Sequence, residues 1–199
     1  NQFIDIFSKK YEYLFDLNGY LIIKNALNKT ELKKINIILD NLKNLKNKEW
    51  AGYVHGHNYG GKDGLNLQQI YEAGKPFENL IDHPSWINYM MHFIGGRGTF
   101  DQLHGPLFID ENFANIRGPG EAIGIHSGNP EGLQRNHYRY QDGKFHCSQV
   151  NILLALTDIG PGDGGTVIIP SSHKSNIEHP EYKDNKMLKD GKVSSAEGM

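Results

Sequence analysis

Histidine is the side chain in this sequence best placed to bind a metal, and one histidine stands apart by its setting. His126 lies in Gly124-Ile125-His126-Ser127-Gly128-Asn129-Pro130, behind strand-like residues and a Gly118-Pro119-Gly120 corner. An imidazole at a strand end, opening a Gly/Pro-rich loop, is positioned to point into a barrel mouth and ligate a metal. The residues alone leave a second reading open, a histidine held by hydrogen bonds for structure. Ten histidines among 199 residues are many, but number alone selects none of them. His55-Gly56-His57 has strand-type ligand spacing, yet its glycine-loop setting without a Cys or Asp partner favours a surface or lid role. His83, directly before Pro84, reads as local structure at a helix start.

Two further groups could line a pocket. In His137-Tyr138-Arg139-Tyr140, Arg139 could meet an anionic substrate or co-substrate, with Tyr138 beside it. An exposed loop is the plainer alternative. Gln149 and Asn151 share one face of a strand, in phase with Cys147 and Leu153. Polar groups at alternate positions either point inward and hydrogen-bond a cofactor or mark the solvent face. Asp158 and Asp163 read as turn residues. Lys29, Lys33, Lys34 and Lys43 read as a solvated helix face.

Elements that could position these groups follow from patterning. Residues 11–27 read as a helix end, an Asn18-Gly19 turn and a strand from Tyr20 to Lys24. Asn28 caps a helix with Leu32, Ile35, Leu39 and Leu42 on its apolar face. Residues 51–64 have loop composition, and a second helical stretch is expected from Leu67 to Glu72. Asp82 caps a third helix, with Pro84 in its first turn, an apolar face of Ile87, Met90, Met91 and Ile94, and an end at Gly95-Gly96. Beyond Phe100 the pattern becomes strand-like over Leu107–Ile116, Phe145–Asp158 and Gly165–Pro170. A mainly helical part over residues 1–98 followed by strands over 99–199 predicts an α+β fold, with helices backing an antiparallel barrel or jelly roll.

Composition limits the function. A net charge of −2 gives no electrostatic grip on nucleic acid or on an anionic membrane, and neither is expected as a partner. The longest apolar run, Val150 to Leu156, is interrupted by Asn151 and far too short to span a bilayer. With no leader pattern visible and one cysteine, Cys147, a cytoplasmic location is expected. The opening Asn1 and the closing Met199, which follows no evident closing element, suggest a fragment of a longer chain.

A longer motif adds to this reading. Thr157-Asp158-Ile159-Gly160-Pro161-Gly162-Asp163-Gly164-Gly165-Thr166-Val167-Ile168-Ile169-Pro170-Ser171-Ser172-His173-Lys174 resembles the signature of the phytanoyl-CoA dioxygenase family. There a strand ending in Asp leads through an Asn/Asp-Gly turn to a short strand and a Pro-Gly-Ser-His-Lys corner; Ser171 stands here for the corner glycine. Phe15-Asp16-Leu17-Asn18-Gly19-Tyr20-Leu21-Ile22-Ile23, with Asn28 and Thr30-Glu31-Leu32, is similar to the family's opening. The resemblance covers about residues 11–180, and its second block is the more specific.

The resemblance implies one domain over residues 1–199, a double-stranded β-helix backed by N-terminal helices and incomplete at its C-terminus. It implies Fe(II) as cofactor and 2-oxoglutarate as co-substrate, with a small organic substrate hydroxylated as succinate and CO2 are released. The family's iron sits on a His-x-Asp/Glu pair and a distal histidine, which leaves open positions for the oxo-acid and dioxygen. His126 matches the first histidine, and the carboxylate position is Gly128. His173 belongs to the corner and is not a ligand in the family. None of His137, His146, His173 or His179 has the distal separation, so the distal histidine and the basic residue that holds 2-oxoglutarate are expected beyond Met199. Gly128 leaves three alternatives: a His-x-Gly hydroxylase using water or a carboxylate such as Glu131, a halogenase with a halide on iron, or loss of iron. A non-catalytic, cupin-like small-molecule binder is the rival from another class. The sequence does not set the oligomeric state.

Overall fold

The computed structural model describes residues 9–60, 62–94, 105–126, 137–177 and the backbone of 194–195. Two compact units divide the chain: Asn25–His126, and Asn1–Lys24 together with Ser127–Met199.

In the Asn25–His126 unit, helix α2 (Lys29–Leu42) starts where the sequence places it. Asn28 Oδ1 accepts from the amides of Thr30 and Glu31, while the Glu31 carboxylate accepts from the Asn28 amide at 2.8 Å. This reciprocal cap satisfies amides that the first turn would otherwise leave unpaired. Ile35, on the apolar stripe, is 1 % exposed.

The stretch expected to be loop instead forms a sheet. Strands β1 (Trp50–Ala51), β2 (Val54–His57), β3 (Leu65–Gln68) and β4 (Phe113–Ile116) pair antiparallel in that order. Residues 1–98 therefore carry strands as well as helices. The expected helix over Leu67–Glu72 is the end of β3 followed by a single 3-10 turn, Ile70–Ala73. Leu67 Cα pairs with Ala114, and the chain breaks direction at Gln69, whose φ is +57°. Burial of apolar residues on one face decided this segment. Val54 and Leu67 point to the buried face, 1 % and 0 % exposed, and each contributes roughly 1.5–3 kcal/mol by leaving water. The short helix α3 (Lys75–Glu78) packs with the 3-10 turn, which also lies against β2 and β4.

Helix α4 (Ile87–Phe93) begins later than the Asp82 cap predicts, because His83 to Trp86 first form a turn closed by the Trp86 amide on the His83 carbonyl at 3.1 Å. Phe93 is its buried residue, and Met91, expected on the apolar face, is exposed. The expected Gly95-Gly96 stop lies outside the described residues.

The second unit opens with helix α1 (Lys9–Asn18), ended as expected at Gly19, φ +83°. Among the described residues, Tyr20–Lys24 has no strand partner. Of the expected strand from Phe145 to Asp158, only Phe145 lies in a strand among the described residues: β5 (Tyr140–Gln141) and β6 (Lys144–Phe145) form a hairpin. Its two-residue turn, Asp142-Gly143, has φ +53° and +75° as a type I′ turn requires. The pairing continues through His146 N to Arg139 O at 2.8 Å and Ser148 N to His137 O at 2.9 Å. Strand β7 (Val167–Ile168) pairs with β8 (Ser194–Ser195). Helices and antiparallel sheets are thus both present, and no closed barrel is formed among the described residues. No helix among them is long and apolar enough to cross a membrane.

Candidate functional site

The corner that carries the longest sequence signal docks on the end of α1. A helix leaves its last carbonyls without intrahelical partners, and here the corner supplies them. Ser171 Oγ donates to Leu17 O at 2.6 Å, Ser171 N to Asn18 O at 2.9 Å, and His173 Nε2 to Asp16 O at 3.0 Å. Ser171 adopts φ +66° to make this approach. Gly19 lies directly against the His173 ring, so any β-carbon there would collide with it.

A polar cluster completes the corner. Tyr138 Oη donates to Asp16 Oδ1, and Lys174 Nζ lies 3.0 Å from Asp16 Oδ2. The Tyr138 ring packs edge-on to His173 at 4.6 Å and beside Phe15 and Phe145. The Tyr138 hydrogen bond, with help from Lys174, holds the Asp16 carboxyl below the usual carboxylate range. Burial, then Asp16, pushes the Tyr138 phenol well above its ordinary value. Burial likewise lowers the His173 imidazole, which is therefore neutral at pH 7 and donates from Nε2.

His126 lies at the end of the Asn25–His126 unit, with its side chain exposed. Its Nδ1 is 2.7 Å from Gly124 O. A carbonyl only accepts, so the proton of this bond sits on Nδ1 and a neutral ring keeps its lone pair on Nε2. A backbone carbonyl fixing one ring nitrogen so that the other can coordinate is the arrangement typical of metal-binding histidines. Gly128 and Glu131 lie outside the described residues, and among those described no cluster of three or more His, Cys, Asp or Glu side chains could hold a metal. Among the described residues His126 therefore offers a single free ring nitrogen, which by itself does not make a metal site.

The chain matches the family model for phytanoyl-CoA dioxygenase over residues 15–197. It belongs to the phytanoyl-CoA dioxygenase family. No curated protein and no solved structure matches it. The family match runs through both units, and it contains the α1 end, His126 and the corner. In this phytanoyl-CoA dioxygenase family member, the early Asn18-Gly19 and the late Ser171–Lys174 are therefore two sides of one contact.

The remaining candidates separate. Tyr138 is turned to Asp16 rather than displayed, and Arg139 is exposed on the hairpin. Phe145 and Cys147 are buried, Gln149 is half-buried in phase with them, and Asn151 is exposed. His55 and His57 are half-buried on the face of β2 opposite Val54, His55 tilted against Trp50 at 4.5 Å and His57 edge-on to Tyr59 at 4.3 Å. His83 is structural, as expected: it is 7 % exposed, lies 4.6 Å from the Trp86 ring, and accepts from the Ser85 amide on Nδ1. Asp163 closes a turn by accepting from Gly160 N at 2.7 Å. His179 lies outside the described residues. Sequence reasoning missed the Asp16–Tyr138 pair, for which no local signal exists.

Proposed function

We propose that the protein is an Fe(II)- and 2-oxoglutarate-dependent dioxygenase that hydroxylates a small organic substrate on a double-stranded β-helix, with His126 as a metal ligand. Membership of the phytanoyl-CoA dioxygenase family supports the reaction class. The observation that carries the ligand assignment is the His126 ring, whose Nδ1–H is held by Gly124 O at 2.7 Å. That bond leaves Nε2 for iron. Iron with 2-oxoglutarate supplies the oxidising chemistry, while the chain supplies ligand geometry and substrate orientation. Half-buried Gln149 is the better placed of the two proposed co-substrate contacts, and exposed Asn151 the poorer. Arg139 is proposed to meet an anionic group on the substrate.

Gly128 favours one second reading, a halogenase, because a residue without a side chain leaves a coordination position for halide. Turnover of 2-oxoglutarate to succinate, with and without chloride, separates the readings. From a chain that includes the expected distal histidine we expect succinate release and hydroxylated product, lost in His126→Ala with the fold kept. Chloride incorporated into product would select the halogenase. No ferrous binding and no succinate would leave the small-molecule binder.

A further inference from the structure

Helices α2 and α3 border a cleft that the oxygenase reading leaves unused. Helix α3 packs against α2, and its Phe77 is buried. The chain beyond α3 stays close, because Leu80 N donates to Phe77 O at 3.0 Å and Ile81 N to Glu78 O at 3.1 Å. The cleft has a volume of about 310 Å³ and is lined by Glu31 and Lys34 of α2, Lys75 and Pro76 of α3, then Asn79, Leu80 and His83. That volume lies at the lower end of those that hold small ligands.

What the cleft can take follows from which of its polar groups are already engaged. Both carboxylate oxygens of Glu31 are used locally. Oε2 accepts from the Asn28 amide at 2.8 Å, and Oε1 lies 3.4 Å from His83 Nε2. The Asn28 amide holds the Glu31 carboxyl below the usual carboxylate range, so it stays ionised. His83 Nδ1 accepts from the Ser85 amide at 3.2 Å, so the neutral ring carries its proton on Nε2 and directs it at Glu31.

The remaining capacity is on the donor side. Lys34 Nζ and the Asn79 side-chain amide have no hydrogen-bond partner among the described residues. Lys75 Nζ lies 3.1 Å from Glu78, but the two side chains are 76 % and 49 % exposed, and so solvated a pair holds weakly. Two ammoniums thus line the cleft with one carboxylate whose oxygens are taken, while Pro76 and Leu80 add hydrocarbon. A ligand with an acceptor-only head and a short apolar body complements both features, whereas a cationic head would meet two like charges.

We propose that this cleft binds a small organic carboxylate, its head held by Lys34, Lys75 and Asn79 and its hydrocarbon body laid on Pro76 and Leu80. The site does not include His126 and needs no iron, so it stands or falls apart from the oxygenase reading. The test is a titration of the whole chain with hexanoate, followed by NMR of the Asn79 side-chain amide and the Leu80 methyls.

We expect saturable shifts at both residues, with a dissociation constant of about a millimolar. Acetate and inorganic phosphate carry the charge without the body and should bind about tenfold more weakly or worse. Hexylammonium, the same body with the opposite charge, should move neither signal. Lys34→Gln/Lys75→Gln removes the two charges from exposed side chains, so circular dichroism should be unchanged while hexanoate affinity falls about tenfold or more. The proposal is overturned by any of four results: no saturable shift with hexanoate, equal binding of hexylammonium, phosphate binding as tightly as hexanoate, or full affinity in the folded double variant. Hexanoate shifts confined to residues outside the cleft, such as Gln149, would overturn it as well.

Discussion

His173 and Gly19 are in direct contact: the imidazole that donates to Asp16 O at 3.0 Å lies where a Gly19 β-carbon would be. Gly19 also needs φ +83°. Gly19→Ala therefore suffers twice, once from the left-handed backbone, about 1–2 kcal/mol, and once from the collision. Denaturant unfolding of the two single variants and of Gly19→Ala/His173→Ala should show non-additive losses, because the second change removes the collision. Additive losses would mean that the ring and the glycine are uncoupled.

Acid should weaken this contact in two steps. Burial sets the native His173 pKa below 6.5. As pH falls below that value the unfolded chain takes up the proton first, so the neutral ring's contribution is complete above pH 6.5 and lost between there and the native pKa. Asp16 is depressed below 3.8, so its contribution holds above pH 3.8 and goes as pH falls through the native value. The stability gap between native protein and His173→Gln should therefore narrow as pH falls below 6.5 toward the lowered native pKa. A gap constant over that range would place the ring in a more polar setting.

Tyr138→Phe removes the hydroxyl that Asp16 accepts from and leaves the carboxylate with Lys174. We expect a loss of about 1–3 kcal/mol, the usual cost of breaking a partly buried hydrogen bond to a charged group. Ultraviolet titration should show the Tyr138 phenol ionising at higher pH in the native protein than in Asp16→Ala, which loses the carboxylate's part of the shift and keeps the part owed to burial.

Cys147 is buried, and burial pushes its thiol up to about 11. Alkylation at neutral pH should be slow in the native protein and fast after unfolding, since the thiolate is the nucleophile. Mass spectrometry after a timed iodoacetamide pulse reads this directly. Rapid modification of the folded protein would contradict the burial.

The parts legible in the sequence were those with local causes. Asn28 and Glu31 announce α2 because the cap is made within one turn, and Asn18-Gly19 announces the end of α1. Residues 51–68 misled because short strands with glycines and polar residues look like loop until Val54 and Leu67 are seen on one buried face. Asp142-Gly143 carries a hairpin signal in its dipeptide, yet no hairpin was expected there. Asp63, Asn66 and Asn115 look like turn residues one at a time. Asp63 accepts from both Asn66 and Asn115, which are cross-strand partners in a register that no spacing reveals. His126 was legible as a candidate by motif, whereas its tautomer follows only from the Gly124 carbonyl.

The clasp between α1 and the corner joins residues 157 positions apart, with residues 25–126 forming a unit of their own in between. Time then enters the molecule's description. The β5–β6 hairpin closes over two residues and belongs to the class of events that take roughly microseconds. The clasp requires the ends of a very long loop to meet, an entropic cost set before any of its bonds form. During synthesis α1 emerges first and waits, with the carbonyls of Asp16, Leu17 and Asn18 facing water, until Ser171 and His173 have been made. Helix α1 thus exists before the corner that secures it, and during refolding its final turn should gain amide protection only once that corner has docked.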